Sequence, residues 1–540
     1  MRAYALPEAS IREFPGPPLP GPCYSLISRS YGYIVRVLRL CAILWLPLFL
    51  SAQDLREFEK KVTEFTLPNG LHFIVVERHE APVVSFHTYV NAGSVDDPSG
   101  ATGLAHMFEH MAFKGTETIG TRDWPAEKKA LDAIEEAYDR LDAERNKGPK
   151  ADAAKVSGLE TQLKMAIDRA QGYVDSNAYT RIIEENGGAG LNAGTELDST
   201  QYFYSLPSNR VELWFLLESQ RFLHPVFREF YKERDVVMEE LRMRVESSPQ
   251  GTLSRDFLAM AFEAEPYRNP PSGWASDVTT LRRGQAQAFF EKYYVPANIV
   301  IAIVGDVNPA DARRMAERYF GPLPARPLPP VVHTVDPAQT GPKMAMVVSP
   351  SQPLMMIGYK RPAETHPDDP VFDLLGLILS SGRTGLMYKE LVENQRISLA
   401  AESDATFPGG RYPNLFLFFL APTMGRTVEE NQKALDDLLA KFEATKVDAE
   451  TLARVKTKAR ASVIRRLDSN SELASLLTTF YAAYGDWRKL FTSLDDYNKV
   501  TAEDVQRVAK QYFVTGNRTV VYLQAGPPQP KAAAAAGGRQ

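Results

Sequence analysis

The stretch His106-Met107-Phe108-Glu109-His110, inside Gly103 to Gly115 (GLAHMFEHMAFKG), constrains this chain more than any other. In a helix, His106 and His110 stand one turn apart and project their imidazoles from the same face. That spacing lets two ligands reach one small cation, and zinc takes imidazole nitrogen at about 2.0–2.1 Å. Glu109 falls beside the same site, where a carboxylate can take a proton from a metal-activated water. The bland alternative is a pair of half-buried histidines satisfied by hydrogen bonds. The chain holds only eight histidines, and two of them bracket a Glu at helical spacing, which favours the metal. Catalytic zinc also needs a third protein ligand and an open position. The motif alone leaves that third ligand open.

The composition narrows the class. At 540 residues the chain exceeds one ordinary core, and about two to four domains are expected. A net charge of −5 gives no basic excess for nucleic acid. Arg36 and Arg39 precede an apolar run, Cys41 to Leu50, followed by Ser51-Ala52-Gln53. This is the pattern of a secretory signal, so residues 1–52 are expected to be a leader, with an uncleaved anchor as the alternative. Both cysteines, Cys23 and Cys41, lie in that leader. The mature chain therefore offers no thiolate, and its site must use His and carboxylates. Export to a bacterial periplasm suits such a chain.

Past the leader, VTEFTL, the Pro68-Asn69-Gly70 turn and LHFIVVE predict a hairpin. Residues 124–180 carry two amphipathic periods, Leu131-Ile134-Tyr138-Leu141 and Val156-Leu159-Leu163-Ile167, with Gly148-Pro149 between them. They predict an antiparallel helical hairpin. A proline-rich stretch, 321–342, reads as an extended linker. Strands and helices then recur, which predicts a duplicated domain. The expected division is a first domain at 53–320, a second of the same fold at 343–524, and a disordered Pro/Ala/Gly-rich tail at 525–540.

Four segments carry a resemblance to the pitrilysin/insulinase-type zinc peptidases, whose motif order is H-x-x-E-H. They are HMFEHMAFKGT, LNAGTELDSTQYFYSLP, ERDVVMEELRM and VPANIVIAIVGDVNP. The likeness spans about residues 62–523 and is strongest to the smaller processing-peptidase-like bacterial members. It implies an α+β fold of two homologous domains, each a mostly antiparallel sheet packed with helices, facing each other across a peptide chamber. It implies one zinc ion per chain, bound by His106, His110 and Glu240, with Glu109 activating the water. Glu233, seven residues before Glu240, lies on the same helical face and is expected to hold a ligand or the substrate during catalysis. Asn192 and Ala193 are implied as backbone contacts for a peptide added as a strand near Gly190 to Thr195. A site of two imidazoles and one carboxylate also admits other divalent ions.

Two departures from the family pattern stand out. The interval from His110 to Glu240 is long, and the helical hairpin accounts for it as an insertion. Self-sufficient members also place an Arg and, seven residues on, a Tyr in the second domain, to bind the substrate carbonyl. Val392 and Leu399 occupy those places here, and neither can donate a hydrogen bond. Arg396 lies about one turn away. The resemblance therefore implies the catalytic subunit of a heterodimer completed by a metal-free homologous chain, with a homodimer as the fallback. The competing reading is a non-catalytic structural subunit of the same fold. Keeping His106, Glu109, His110 and Glu240 together favours the enzyme. A hydrolase of non-peptide substrates is a weaker third.

Overall fold

A computed structural model describes residues 57–526. The expected leader and residues 527–540 of the expected tail lie outside that range. In the first half, β1 (Val62–Thr66) and β2 (His72–Glu77) form the hairpin across Asn69-Gly70, with Gly70 at φ +96. Then follow β3 (Val83–Val90), α1 (Leu104–Met111), α2 (Trp124–Arg145), α3 (Ala153–Gln171), α4 (Ala178–Glu185), β4 (Ala189–Thr195) and β5 (Thr200–Pro207). Next come α5 (Val211–Leu223), α6 (Phe230–Leu241), α7 (Pro249–Ala261), α8 (Arg283–Tyr293), β6 (Ile299–Gly305) and α9 (Pro309–Phe320).

The second half runs β7 (Lys343–Ser349), β8 (Leu354–Arg361), α10 (Asp369–Leu379), β9 (Ser398–Phe407) and β10 (Asn414–Pro422). It continues with α11 (Val428–Ala444), α12 (Ala449–Leu467), α13 (Asn470–Tyr484), α14 (Lys489–Lys499), α15 (Ala502–Tyr512) and β11 (Arg518–Ala525).

The first sheet has the order β1-β2-β6-β3-β5-β4 and the second β7-β11-β8-β10-β9. With β1 set aside, the two orders match place for place. In each, the strand that closes the half pairs in parallel with an edge-side strand, β6 with β2 and β11 with β7, and the other pairs are antiparallel. The sheets are thus mixed, and the fold consists of two homologous α+β halves.

Their joining is reciprocal. Helix α13 of the second half lies on β3 and β6 of the first sheet, and α7 of the first half lies on β7, β8 and β11 of the second. Leu473 and Leu477 of α13 are fully buried against Ile74, Val76, Ala302 and Val304. Leu253 and Phe257 of α7 are fully buried against Met356, Leu415, Val521 and Leu523. Burying one such side chain contributes about 1.5–3 kcal/mol. Arg411 of the second half adds a polar pin by donating to Asn91 Oδ1 at 2.6 Å. The linker runs without regular structure from Pro324 to Thr340. Asp336 anchors it by accepting from the amides of Ala264 and Glu265, both at 2.8 Å.

The segment after α10 is not an ordinary α-helix. It winds wider, as a π-helix at Tyr388–Asn394, with Gln395 N donating to Glu390 O at 3.0 Å. The inserted hairpin consists of α2 and α3, joined by a turn at Gly148–Lys150. Among the described residues no helix is long and apolar enough to cross a membrane.

Candidate metal centre

Helix α1 is set up by its surroundings more than by its own cap. The residue that precedes it, Gly103, has φ +86, and a Cβ there would meet Ser272 O at 2.7 Å. No side chain of that residue can cap, so the Asp97 carboxylate takes over, accepting from Gly103 N at 2.7 Å and Ala105 N at 2.8 Å. Leu104, Ala105, Met107, Phe108 and Met111 are buried and fix the helix's rotation. His106, Glu109 and His110 are left on the other face, towards α6.

Helix α6 starts at a left-handed residue, Glu229 (φ +58), directly after the buried Arg228. Val237 and Leu241 seat it in the core, which turns Glu233 and Glu240 to α1. Glu240 Oε2 lies 3.7 Å from His106 Nε2 and 3.5 Å from His110 Nε2. One ligand atom from each residue falls within 4.8 Å of the others. Tetrahedral ligation at about 2.1 Å separates ligand atoms by about 3.4 Å, so the donor set fits zinc in both chemistry and spacing. Glu239 points to solvent and pairs with Arg242.

The electrostatics favour a cation here. Burial, with His110 beside it, pushes His106 down to about 4, which keeps its imidazole neutral as a ligand must be. Burial also acts to lower His110, but hydrogen bonding to Glu233 and the nearby Glu109 and Glu240 carboxylates outweigh it and raise its pKa. Burial raises the pKa of Glu109, partly offset by a hydrogen bond from Thr195 Oγ1 to Glu109 Oε2 at 2.8 Å.

Thr195 ends β4, and β4 is the outer strand of the first sheet. Asn192 and Ala193 lie on that edge, and Asn192 Oδ1 accepts from Ala193 N at 2.9 Å. His110 Nδ1 lies 3.5 Å from Glu233 Oε2, and Lys114 pairs with the other Glu233 oxygen. Arg244 Nη1 lies 2.8 Å from Glu240 Oε1. In sequence alone, Thr195, Lys114 and Arg244 carry no individual role. Lys114 and Thr195 sit inside the quoted motifs, and Arg244 follows Glu240 by one turn, so position was the only available signal. In the second half, Val392 is half-buried in the core and Leu399 is exposed on β9.

A HxxEH helix faces a glutamate-bearing helix on a duplicated α+β frame, an arrangement of the metallopeptidase type. Two family profiles match: Insulinase (Peptidase family M16) at residues 73–138 and 160–273, and Peptidase M16 inactive domain at 280–459. The chain belongs to peptidase family M16. The interval between the two matched pieces of the first profile falls within the inserted hairpin.

The chain is 26% identical over 501 residues to the zinc protease PqqE of Helicobacter pylori, covering 91% of this chain and 99% of that one. It is 23% identical over 490 residues to a probable mitochondrial-processing peptidase subunit beta of Arabidopsis thaliana, covering 87% and 79%. The crystal structure of a protease from Helicobacter pylori superposes with TM-score 0.72 at 25% identity, covering 86% of this chain and 99% of that one. The periplasmic protease PqqL of Escherichia coli has the same fold, at TM-score 0.64 and 16% identity, over 86% of this chain and 48% of that one.

Proposed function

We propose that this chain is an exported zinc endopeptidase that hydrolyses short, unfolded or extended peptides. The reading is carried by one observation: the ligand atoms of His106, His110 and Glu240 converge beside Glu109, and Glu109 bonds Thr195 on the open edge of the first sheet. Zinc, when bound, supplies Lewis acidity to the water and to the scissile carbonyl. The peptide lies along β4 as an added strand, using main-chain hydrogen bonds at Asn192 and Ala193 that tolerate many sequences. Glu109 takes a proton from the attacking water as its oxygen bonds the carbonyl carbon. It gives that proton to the amine nitrogen when the C–N bond breaks. Glu233 holds His110 in orientation.

Residues 53–320 form the catalytic domain in this reading, and 343–524 the second domain. Val392 and Leu399 leave the substrate carbonyl without a donor from this chain. A metal-free homologous subunit completes the enzyme. The names of the relatives, zinc proteases and a processing-peptidase subunit, support peptide substrates, and the periplasmic PqqL supports export.

The test is hydrolysis of a quenched, unstructured peptide by the zinc-loaded chain starting at Gln53, with Glu109→Gln as the blank. The expected result is low turnover that rises when the homologous subunit is added. High turnover by the pure chain would overturn the heterodimer, and turnover surviving in Glu109→Gln would overturn the role of the base.

A further inference from the structure

We propose that Lys114 is a positioning residue of the metal site and that the inserted hairpin holds it in place. This rests on the zinc reading above. The two ring nitrogens of His110 have different neighbours: Nε2 faces Glu240 Oε2 and Nδ1 faces Glu233 Oε2, both at 3.5 Å. A carboxylate behind a ligating histidine fixes its ring orientation and tautomer. It does so more firmly when its own second oxygen is tied down. Lys114 Nζ pairs with that oxygen, Glu233 Oε1, and lies 3.4 Å from Glu229 Oε2. Glu109, Glu229, Glu233 and Glu240 crowd this corner, so an unpaired Glu233 would turn away from its neighbours.

The backbone of Lys114 is fixed in turn. Its carbonyl accepts from Arg228 Nη1 at 2.5 Å. The same guanidinium donates to Ile119 O at 2.9 Å and Thr116 O at 2.7 Å, closing the loop that leaves α1. Arg228 Nε donates to Glu127 Oε1 at 2.7 Å, and both residues are fully buried. Glu127 lies in the first turn of α2. The base of the insertion is therefore part of the support for the metal site, through Glu127, Arg228, Lys114, Glu233 and His110 in that order.

The experiment measures zinc affinity by competition with a chromogenic chelator, and the visible spectrum of the cobalt-loaded protein, for the full chain. Lys114→Met is expected to weaken zinc about 10–100-fold and to shift the cobalt spectrum, with the melting temperature of the metal-free protein unchanged. Lys114→Arg, which keeps a cation in place, is expected to restore both. Glu127→Gln, assayed well below its own melting temperature, is expected to weaken zinc as well. Wild-type affinity in Lys114→Met overturns the role of Lys114, and wild-type affinity in Glu127→Gln overturns the role of the hairpin. A wild-type chain that binds no zinc overturns the underlying reading and this inference with it.

Discussion

His87 Nδ1, in the middle of β3, lies 2.9 Å from Thr478 Oγ1 on α13. This contact ties the first sheet to a helix supplied by the second half. Burial pushes His87 down to about 4, from an ordinary 6.5. The unfolded chain therefore takes up a proton below pH 6.5 that the folded chain refuses until about pH 4. Stability from this group is complete above pH 6.5, drains as the pH falls, and levels off below about 4. The difference of 2.5 units corresponds to about 3 kcal/mol. Urea melts at pH 7.5 and 4.5 should show a smaller loss in His87→Gln than in the parent.

On the proposed mechanism, removing a zinc ligand and removing the base should part company. Glu240→Gln and His106→Ala are expected to lose tight zinc binding, measured by chelator competition, and activity with it. Glu109→Gln is expected to keep its zinc and lose about 10²–10⁴-fold in kcat.

The exchange of helices makes α13 a core element of the whole molecule. Leu477 is fully buried against the first sheet. Leu477→Ala is expected to cost about 2–5 kcal/mol, lowering a single calorimetric transition shared by both halves. Two separated transitions would show that the halves unfold independently.

Leu399 is 57% exposed, so Leu399→Tyr should change stability by no more than about 0.5 kcal/mol. On the proposed reading, the added phenol gives the substrate carbonyl a donor that Leu399 cannot offer, and it should raise the peptide turnover of the isolated chain.

Much of this arrangement was readable because it is local. The spacing of His106 and His110 needs only one helical turn, and Asn69-Gly70 announces its own hairpin. The period from Leu131 to Leu141 likewise marks the inserted hairpin without tertiary information. The partner of α13 was not readable. Leu473, Leu476 and Leu477 give the pattern of any core helix, and nothing in that pattern says which sheet they cover. The same limit hid Lys114: a lysine after a motif looks solvated until Arg228 and Glu127, distant in sequence, fix its backbone.

The reciprocal seating of α7 and α13 bears on how such a chain can be divided. A protein cut in the proline-rich linker at 321–342 would yield a first half whose sheet presents Ile74, Val76, Tyr89, Ala302 and Val304 to water, and which still carries α7 with nothing to lie on. His106, Glu109, His110 and Glu240 would all be present, yet the fragment would be sticky and short-lived. The smallest inheritable version of this site is therefore both halves together.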